Sequence, residues 1–533
     1  MKKIFNGLFI ISLALGFTSC KKYLDINDNT NSSTSSTPEL VLPQAIVGTA
    51  SVSQAYNSAY YFPGGFAANI YGVGGYGAGV TYAYTASSFT NLFSSVYDNA
   101  TDYQYVIDNT TGKPALAYSN AIARIMKAFI FSKLVDQYND VPYTDALKGS
   151  SNLTPKYDKA EDIYKDLVSQ LNLSIKLITD GQAVTTTTVV ASSTDPLFGS
   201  KKEQQMNYWK RFANTIKLRL LIKMAGVPAL SSFATTEFAA LNLTIGFIDD
   251  DALVQPGYVK ESGRQNPLYN SLAFASDNTR SQSQAIPTTW IFTFYNGNKI
   301  SDQGRGYAMY RGFPNTATNR LGEENVGSTV IPPANFTSWF TGTDANTPYI
   351  GVAKGPSQGQ PIMLAAESRF LQAEAFARGY LTGNAQTAFD EGIKASFKYI
   401  YQDQNGAPIP NWEYVSESKA YQVDENPTNR LVNYNLAADL NQKIEAIITQ
   451  KYIAMNVINC DEAFNEFKRT GYPKIVEGSS DGRLTFASKQ SVSTRPDKLI
   501  GRILYPQQEF NLNTSNVPAG VTLFGSRIFW DLN

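Results

Sequence analysis

Five stretches of the chain carry apolar side chains at the spacing of three to four residues that defines an amphipathic helix. They span residues 122–134, 160–175, 209–220, 363–377 and 440–455 of the 533. In the second stretch, for example, Ile163, Leu167 and Leu171 share one helical face. Stripes of this kind must pack against one another to remove their apolar side chains from water. The sequence therefore predicts a mostly α-helical protein with a large core.

Some of these helices follow one another closely. One pair is predicted around 118–137 and 158–178, and a second around 361–378 and 385–400. Such pairs are typical of helix-turn-helix repeats, but the strict tetratricopeptide consensus is absent. Degenerate repeats that form a scaffold and a plain helical bundle both fit the pattern.

The helical signal fades between residues 230 and 360, where glycine, proline, asparagine, threonine and aromatic residues dominate. We expect long irregular loops here and little β structure anywhere in the chain. Long loops on a rigid scaffold often carry function, so this region is predicted to be part of a ligand-binding region.

The N-terminus resembles a bacterial lipoprotein export signal. Lys2 and Lys3 precede an apolar segment, residues 4–17, which ends just before Cys20. The segment is shorter than the roughly 20 apolar residues that span a bilayer. We expect residues 1–20 to be a signal peptide, Cys20 to carry lipid, residues 21–37 to form a flexible tether, and residues 38–533 to form one helical domain.

Charge and composition exclude several functions. The chain has 45 basic and 45 acidic residues without a basic block, so nucleic acid is not an expected partner.

The chain contains no histidine, which excludes Ser-His-Asp triads, Cys-His dyads and HExxH zinc sites. A glycosidase needs only two carboxylates, yet the sequence identifies no such pair. Cys460 has no partner once Cys20 is lipidated, and we expect a buried, inert thiol.

Aromatic residues are abundant, with 32 tyrosines and 30 phenylalanines, while charged residues are only 17%. This composition favours a neutral ligand with hydroxyl groups and flat C–H faces, such as a sugar, because rings stack on such faces and amides bond to the hydroxyls.

Six blocks, in order along the chain, resemble the SusD/RagB outer-membrane lipoproteins of Bacteroidetes, in the SusD-like branch. The blocks are Cys20–Asn27, Tyr138–Leu147, Trp209–Arg219, Ala366–Ala375, Glu466–Pro473 and Arg502–Pro506, the last followed by Glu509 and Asn511. Most of them fall on predicted helices. Their charged residues therefore have a structural interpretation: Glu374 and Arg378 form an i,i+4 pair, and Arg469 lies near a helix end.

The resemblance implies a scaffold of degenerate tetratricopeptide helices and a non-catalytic binding protein without a cofactor. Such a protein is anchored by lipid in the outer membrane, facing outwards, and acts as a lid on a TonB-dependent, SusC-like barrel. The commonest cargo is a glycan, and peptides are the main alternative. A purely structural surface protein would need neither a barrel partner nor a ligand surface.

In the family, ligands bind an aromatic arc formed by loops, and two segments are candidates here. In residues 69–84, glycines alternate with aromatic rings and let a loop approach a ligand closely. The first candidate contacts are Asn69, Tyr71, Tyr76 and Tyr82. The tyrosines could equally pack this loop against the helices.

The second segment combines rings with guanidinium groups, the chemistry of stacking plus bidentate hydrogen bonds. Its candidate contacts are Trp290, Arg305, Tyr310 and Trp339. Residues 290–295 also alternate in a way that fits a core element, so the tryptophan has a structural interpretation too.

Two further motifs are rejected. The glycines at 72, 74 and 77 satisfy G-x-G-x-x-G, but no apolar strand precedes them and no following helix or acidic residue completes a dinucleotide site. Residues 249–251 are three consecutive aspartates that lack the alternating spacing of a calcium loop. No metal site is predicted.

Overall fold

Helices account for most of the regular structure in the computed structural model, which describes residues 36–70, 75–282, 284–324 and 350–533. The helices are α1 (Pro38–Ala59), α2 (Ala78–Thr81), α3 (Thr90–Thr110), α4 (Ala117–Tyr138), α5 (Ala160–Gln182), α6 (Gln205–Ala225), α7 (Ser231–Ala239), α8 (Pro267–Leu272), α9 (Thr289–Phe292), α10 (Gln303–Met309), α11 (Ala365–Ala377), α12 (Ala385–Ile400), α13 (Tyr414–Ala420), α14 (Leu440–Ala454), α15 (Cys460–Thr470) and α16 (Gln507–Leu512). The strands are β1 (Ala67–Asn69), β2 (Val141–Pro142), β3 (Tyr157–Asp158), β4 (Ala252–Val254), β5 (Ala285–Pro287) and β6 (Gln360–Met363).

Local sequence explains where several of these helices begin and end. The side chain of Asn384 accepts a hydrogen bond from the Thr387 amide at the start of α12, and Asp439 does the same for Gln442 at the start of α14. Helix α15 ends at Gly471, whose φ of 73° is left-handed and costs glycine little.

Neighbouring helices pack on one another in sequence. Helix α3 contacts α4, α4 contacts α5, α5 contacts α6 and α6 contacts α7, while α11 packs along α12. The pairs predicted at 118–137 with 158–178 and at 361–378 with 385–400 are therefore confirmed as α4–α5 and α11–α12. The predicted fold class, mostly α-helical with little β structure, is also confirmed.

The apolar stripes form the core. Ile163, Leu167 and Leu171 of α5 are fully buried, and Phe129 of α4 packs against Phe212 of α6 with ring centroids 5.8 Å apart. Each such buried side chain contributes about 1.5–3 kcal/mol.

The loop-rich region contains short helices and strands. Strand β5 pairs antiparallel with β1, with Ala67 opposite Pro287 and Asn69 opposite Ala285. This pairing links the beginning of the chain to the loop-rich region. Strand β4 pairs antiparallel with β6 and ties the same region to the start of α11.

Charged side chains are buried where α4, α6, α11, α14 and α15 meet, and we call them the ionic core. Lys223 of α6 donates to Asp136 of α4 at 2.7 Å and to Glu462 of α15 at 2.8 Å. The other members with an ion pair in this core are Lys133, Arg219, Lys451, Arg469, Glu367, Glu374, Asp461 and Glu466. Opposite charges therefore join five helices.

The charged residues of the sequence blocks lie in this core. Glu374 accepts from Arg378 at 2.7 Å and from Arg469 at 2.6 Å, which confirms the structural interpretation of the i,i+4 pair. Burial would raise the pKa of Glu374, but the charges of Arg469 and Arg378 outweigh it and lower the pKa to about 2. Glu374 is therefore ionised at neutral pH and stabilises the fold as an anion.

Cys460 is fully buried at the start of α15 and has no disulfide partner among the described residues. Burial raises the pKa of its thiol, which disfavours the reactive thiolate. The expected burial of this thiol is confirmed.

Replacing Lys223 with methionine should destabilise the protein by about 3–5 kcal/mol, because Asp136 and Glu462 would lose their buried cation. Lys176→Met is the matched control, since Lys176 pairs with Asp180 on the surface and its loss should cost about 0.5 kcal/mol or less. Urea denaturation followed by circular dichroism measures both. Equal stability of the two variants would show that the ionic core contributes little.

Candidate ligand-binding surface

Asn69 lies where β1 ends and is held by the loop that follows residue 318. Its carbonyl oxygen accepts a hydrogen bond from the Asn319 side chain at 3.0 Å. Its own side-chain amide donates to Glu324 at 3.3 Å. Asn319 is fixed in turn, because its backbone amide donates to Pro287 of β5 and its carbonyl accepts from Thr289. The amide of Asn69 therefore has a defined position at the edge of the loop region.

A third segment, from near the C-terminus, joins these two loops. The Val492 amide donates to the Thr81 carbonyl at 2.9 Å, and the Lys489 amide donates to Leu321 at 2.8 Å. Gly322, with a φ of 87°, lies so close to this segment that a Cβ would be 2.7 Å from the Ser488 hydroxyl. Residues 75–84, 319–324 and 478–498 thus meet, and we call them the loop junction.

Two of the predicted contact residues lie where a ligand can reach them. Tyr76 is 38% exposed in the first loop of the junction, and Asn69, earlier in the sequence, is half-buried. Tyr71 and Trp339 lie outside the described residues. The exposed ring and the positioned amide are the two kinds of group that sugar binding needs.

The structure corrects the expectation for Tyr82. Its side chain is completely buried, and its hydroxyl accepts a hydrogen bond from the Ser488 amide at 3.3 Å. Tyr82 therefore holds the loop junction together from within, as the structural alternative for these tyrosines proposed.

Trp290 is corrected in the same way. Its indole is fully buried, donates to the Tyr452 hydroxyl at 3.2 Å and packs edge-on against Phe294. The alternation of residues 290–295 was the signal for this core position.

Arg305 and Tyr310 are core residues as well. The Arg305 guanidinium pairs with Asp302 at 2.6 Å and lies 4.7 Å from the centroid of the Phe397 ring. The Tyr310 hydroxyl accepts from the Asn456 side chain. Both side chains are at most 2% exposed, so neither presents a face to a ligand.

Tyr307 is the exposed ring of this segment. It is 47% exposed, and Phe313 supports it edge-on at 5.0 Å between centroids. It precedes the buried Tyr310 by three residues, and composition alone does not distinguish the two rings. Only their opposite burial separates a surface ring from a core ring.

Two of the consecutive aspartates make structural contacts. Asp251 accepts from the Ala365 amide at 2.8 Å and so caps α11, while Asp250 pairs with Lys201 and Lys398. Within the described ranges, no cluster of three or more histidine, cysteine, aspartate or glutamate side chains could hold a metal ion.

Comparison with known proteins decides the family. The sequence matches the SusD-like family, described as starch-binding and associating with the outer membrane, over residues 29–496. The chain belongs to the SusD-like family. No curated protein matches it.

Solved structures share the fold at low identity. A chitin-binding SusD homologue from Flavobacterium johnsoniae is 21% identical, with a TM-score of 0.67 over 92% of this chain and 99% of that one. A SusD homologue from Bacteroides uniformis is 22% identical, with a TM-score of 0.66 and the same coverage. A SusD homologue from Bacteroides fragilis is 20% identical, with a TM-score of 0.65 over 93% and 99%. These similarities confirm the SusD-like fold.

In the described part of the chain, no helix is both long and apolar enough to cross a membrane. This SusD-like protein belongs to a family that associates with the outer membrane.

Trp290→Ala should destabilise the protein by about 3–5 kcal/mol, because it removes a fully buried aromatic side chain. Tyr76→Ala should change the free energy of unfolding by about 0.5 kcal/mol at most, since the ring lies on the surface. Guanidinium denaturation of both variants checks the pair. A Trp290 variant as stable as the wild type would contradict the core assignment.

Proposed function

We propose that this protein is a cell-surface lipoprotein that captures a glycan without cleaving it and delivers it to a TonB-dependent, SusC-like barrel in the outer membrane. The observation that carries the proposal is membership of the SusD-like family over residues 29–496. The chitin-binding SusD homologue from Flavobacterium johnsoniae supports a glycan as the cargo.

The proposed anchor is lipid on Cys20, which becomes the first residue once the residues before it are removed. Residues 21–37 then connect the lipid to the helical domain, for which we propose the bounds 38–533. Near the end of this tether, the carbonyl of Ser36 accepts a hydrogen bond from the Tyr105 hydroxyl of α3. The tether therefore meets the helical scaffold at α3, and this scaffold is the proposed docking face for the barrel because stacked helices present extended surfaces.

The proposed ligand contacts are Tyr76 and Asn69, together with Tyr71 and Trp339. We propose that a sugar ring stacks its C–H face on Tyr76, while the amide of Asn69 bonds to hydroxyl groups. Hydrogen bonds to Asn319 and Glu324 hold Asn69 in place before a ligand arrives. A fixed polar group loses little freedom on binding, which favours affinity.

Calorimetric titration with soluble oligosaccharides, polysaccharides and peptides tests the cargo. We expect saturable binding of a glycan, with no new reducing ends in the mixture. Tyr76→Ala should weaken that binding by roughly 3- to 10-fold, the contribution of one aromatic stacking contact.

Phe510→Ala on α16 is the matched control, because Phe510 has the same exposed fraction, 38%, outside the loop junction. Its affinity should equal that of the wild type. Binding of peptides alone would contradict a glycan cargo, and release of reducing ends would contradict a non-catalytic role.

Cys20→Ala should remove the lipid attachment and shift the protein from the outer-membrane fraction to the soluble fraction. Cys460→Ala, the other cysteine variant, should stay in the membrane fraction because Cys460 is buried in the fold. Fractionation and immunoblotting measure both. The wild-type protein, extracted in mild detergent, should also co-purify with a β-barrel protein, and extraction without one would contradict the proposed partner.

A further inference from the structure

A small basic pocket opens in the loop junction, between the second and third of its segments. Its volume is about 200 Å³, and three cationic side chains line it: Arg320, Lys489 and Lys498. Ser479, Ser480 and Ser491 are among the other lining residues, and none of the lining residues that the structure describes has a carboxylate side chain. In a chain with equal numbers of acidic and basic residues, this local excess of positive charge requires an explanation.

Arg320 is the buried member of this group. It is only 7% exposed, and its guanidinium donates to the Ala487 carbonyl at 3.1 Å and to the Ser480 carbonyl at 2.7 Å. Within the described residues it has no carboxylate partner. Burial lowers its pKa, yet a guanidinium stays charged at any physiological pH. Its hydrogen bonds therefore go to neutral carbonyl groups, and the carboxylates of Glu323 and Asp481 favour its charge only through space.

The carboxylates near the pocket already have cationic partners. Glu323 lies 3.7 Å from Lys489, and Asp481 pairs with Arg483 at 2.7 Å. Among the described residues, Lys498 donates only to the Ser493 carbonyl, at 3.2 Å. Neither Arg320 nor Lys498 forms an ion pair with a carboxylate of the described residues, and Glu323 and Asp481, which act on Arg320 through space, are each shared with another cation.

We infer that this pocket binds an oxyanion of the cargo, either the carboxylate of a uronic acid or a sulfate ester. Planar guanidinium donors and lysine ammonium groups beside serine hydroxyls form the charge-assisted hydrogen bonds that such groups accept. The inference rests on the proposed function and names its substrate class: the cargo is an acidic glycan, although composition favoured a neutral one.

The pocket is built by the loops that hold the proposed sugar contacts. The Gln490 side chain donates to Gly322 at 3.2 Å, two residues from the pocket residue Arg320. The backbone link from Val492 to Thr81 joins the same segment to the loop that carries Tyr76. A single glycan chain can therefore place one sugar on the exposed ring and a charged substituent in the pocket.

Matched pairs of polymers test the inference by calorimetry at fixed ionic strength. The pairs are dextran with carboxymethyl dextran, dextran with dextran sulfate, and methyl-esterified pectin with polygalacturonate. We expect at least one anionic polymer to bind roughly tenfold or more tightly than its neutral partner, through charge-assisted contacts. Preference for the carboxylated or the sulfated polymers identifies which oxyanion the pocket takes.

The variant Lys489→Gln/Lys498→Gln should lose most of this preference and retain the thermal stability of the wild type, because both lysines are exposed. Lys156→Gln/Lys419→Gln is the matched control, since it removes two exposed lysines outside the loop junction and lowers the net charge equally. The control should keep the full preference. Arg320→Gln, where circular dichroism shows it folded, should abolish the preference.

The outcomes separate this inference from the proposed function. Equal binding of neutral and anionic polymers, or an unchanged preference in the Lys489/Lys498 variant, would overturn the anion pocket and leave glycan capture intact. Binding of poly-glutamate but of no polysaccharide, with loss in the Lys489/Lys498 variant, would support the anion pocket and overturn the glycan cargo.

Discussion

The ionic core is the constraint on which the rest of the structure depends. Lys223 of α6 forms ion pairs with α4 and α15, and Arg469 joins α15 to α11 through its ion pair with Glu374. A buried charge without its partner costs several kcal/mol. Arrangements of these helices that separate the ion pairs are therefore strongly disfavoured. Interdigitated apolar side chains resist sliding through their shape, and the buried ion pairs add a directional constraint. The ionic core therefore sets the relative positions of helices that are far apart in sequence.

Those positions determine where the loops can meet. Strand β1 follows α1, which packs on α15, and β1 pairs with β5 of the loop-rich region. The third segment of the loop junction follows α15 in the chain. Because the helices are rigid, they bring the three irregular segments of the loop junction into contact, as the hydrogen bonds from Val492 to Thr81 and from Lys489 to Leu321 show. A ligand surface made of loops thus acquires a defined shape from the helical scaffold beneath it.

Much of the fold could be predicted from the sequence, but the candidate site only in part. The apolar stripes and the ordered sequence blocks identified the helices, their pairs and the family. For the site, Tyr76 and Asn69 lie at accessible positions, whereas Tyr82 and Trp290 are core residues. Aromatic composition cannot separate these cases, because rings fill cores as readily as they bind sugars. The pocket around Arg320 gave no local signal, since its cations come from two distant parts of the chain.

The sequence by itself determined the helical architecture and the family, and it excluded catalytic sites that need histidine. Periodicity, ordered motifs and composition are properties of the linear chain, so no tertiary contact is needed to read them. Only the tertiary structure decided which aromatic and charged side chains face water. The block residues Glu374 and Arg469 became a buried ion pair, while Arg320 and Lys498, with no motif to mark them, came together in a pocket. The physical reason is that the burial of a side chain and the pairing of its charge depend on contacts between residues that are far apart in the sequence.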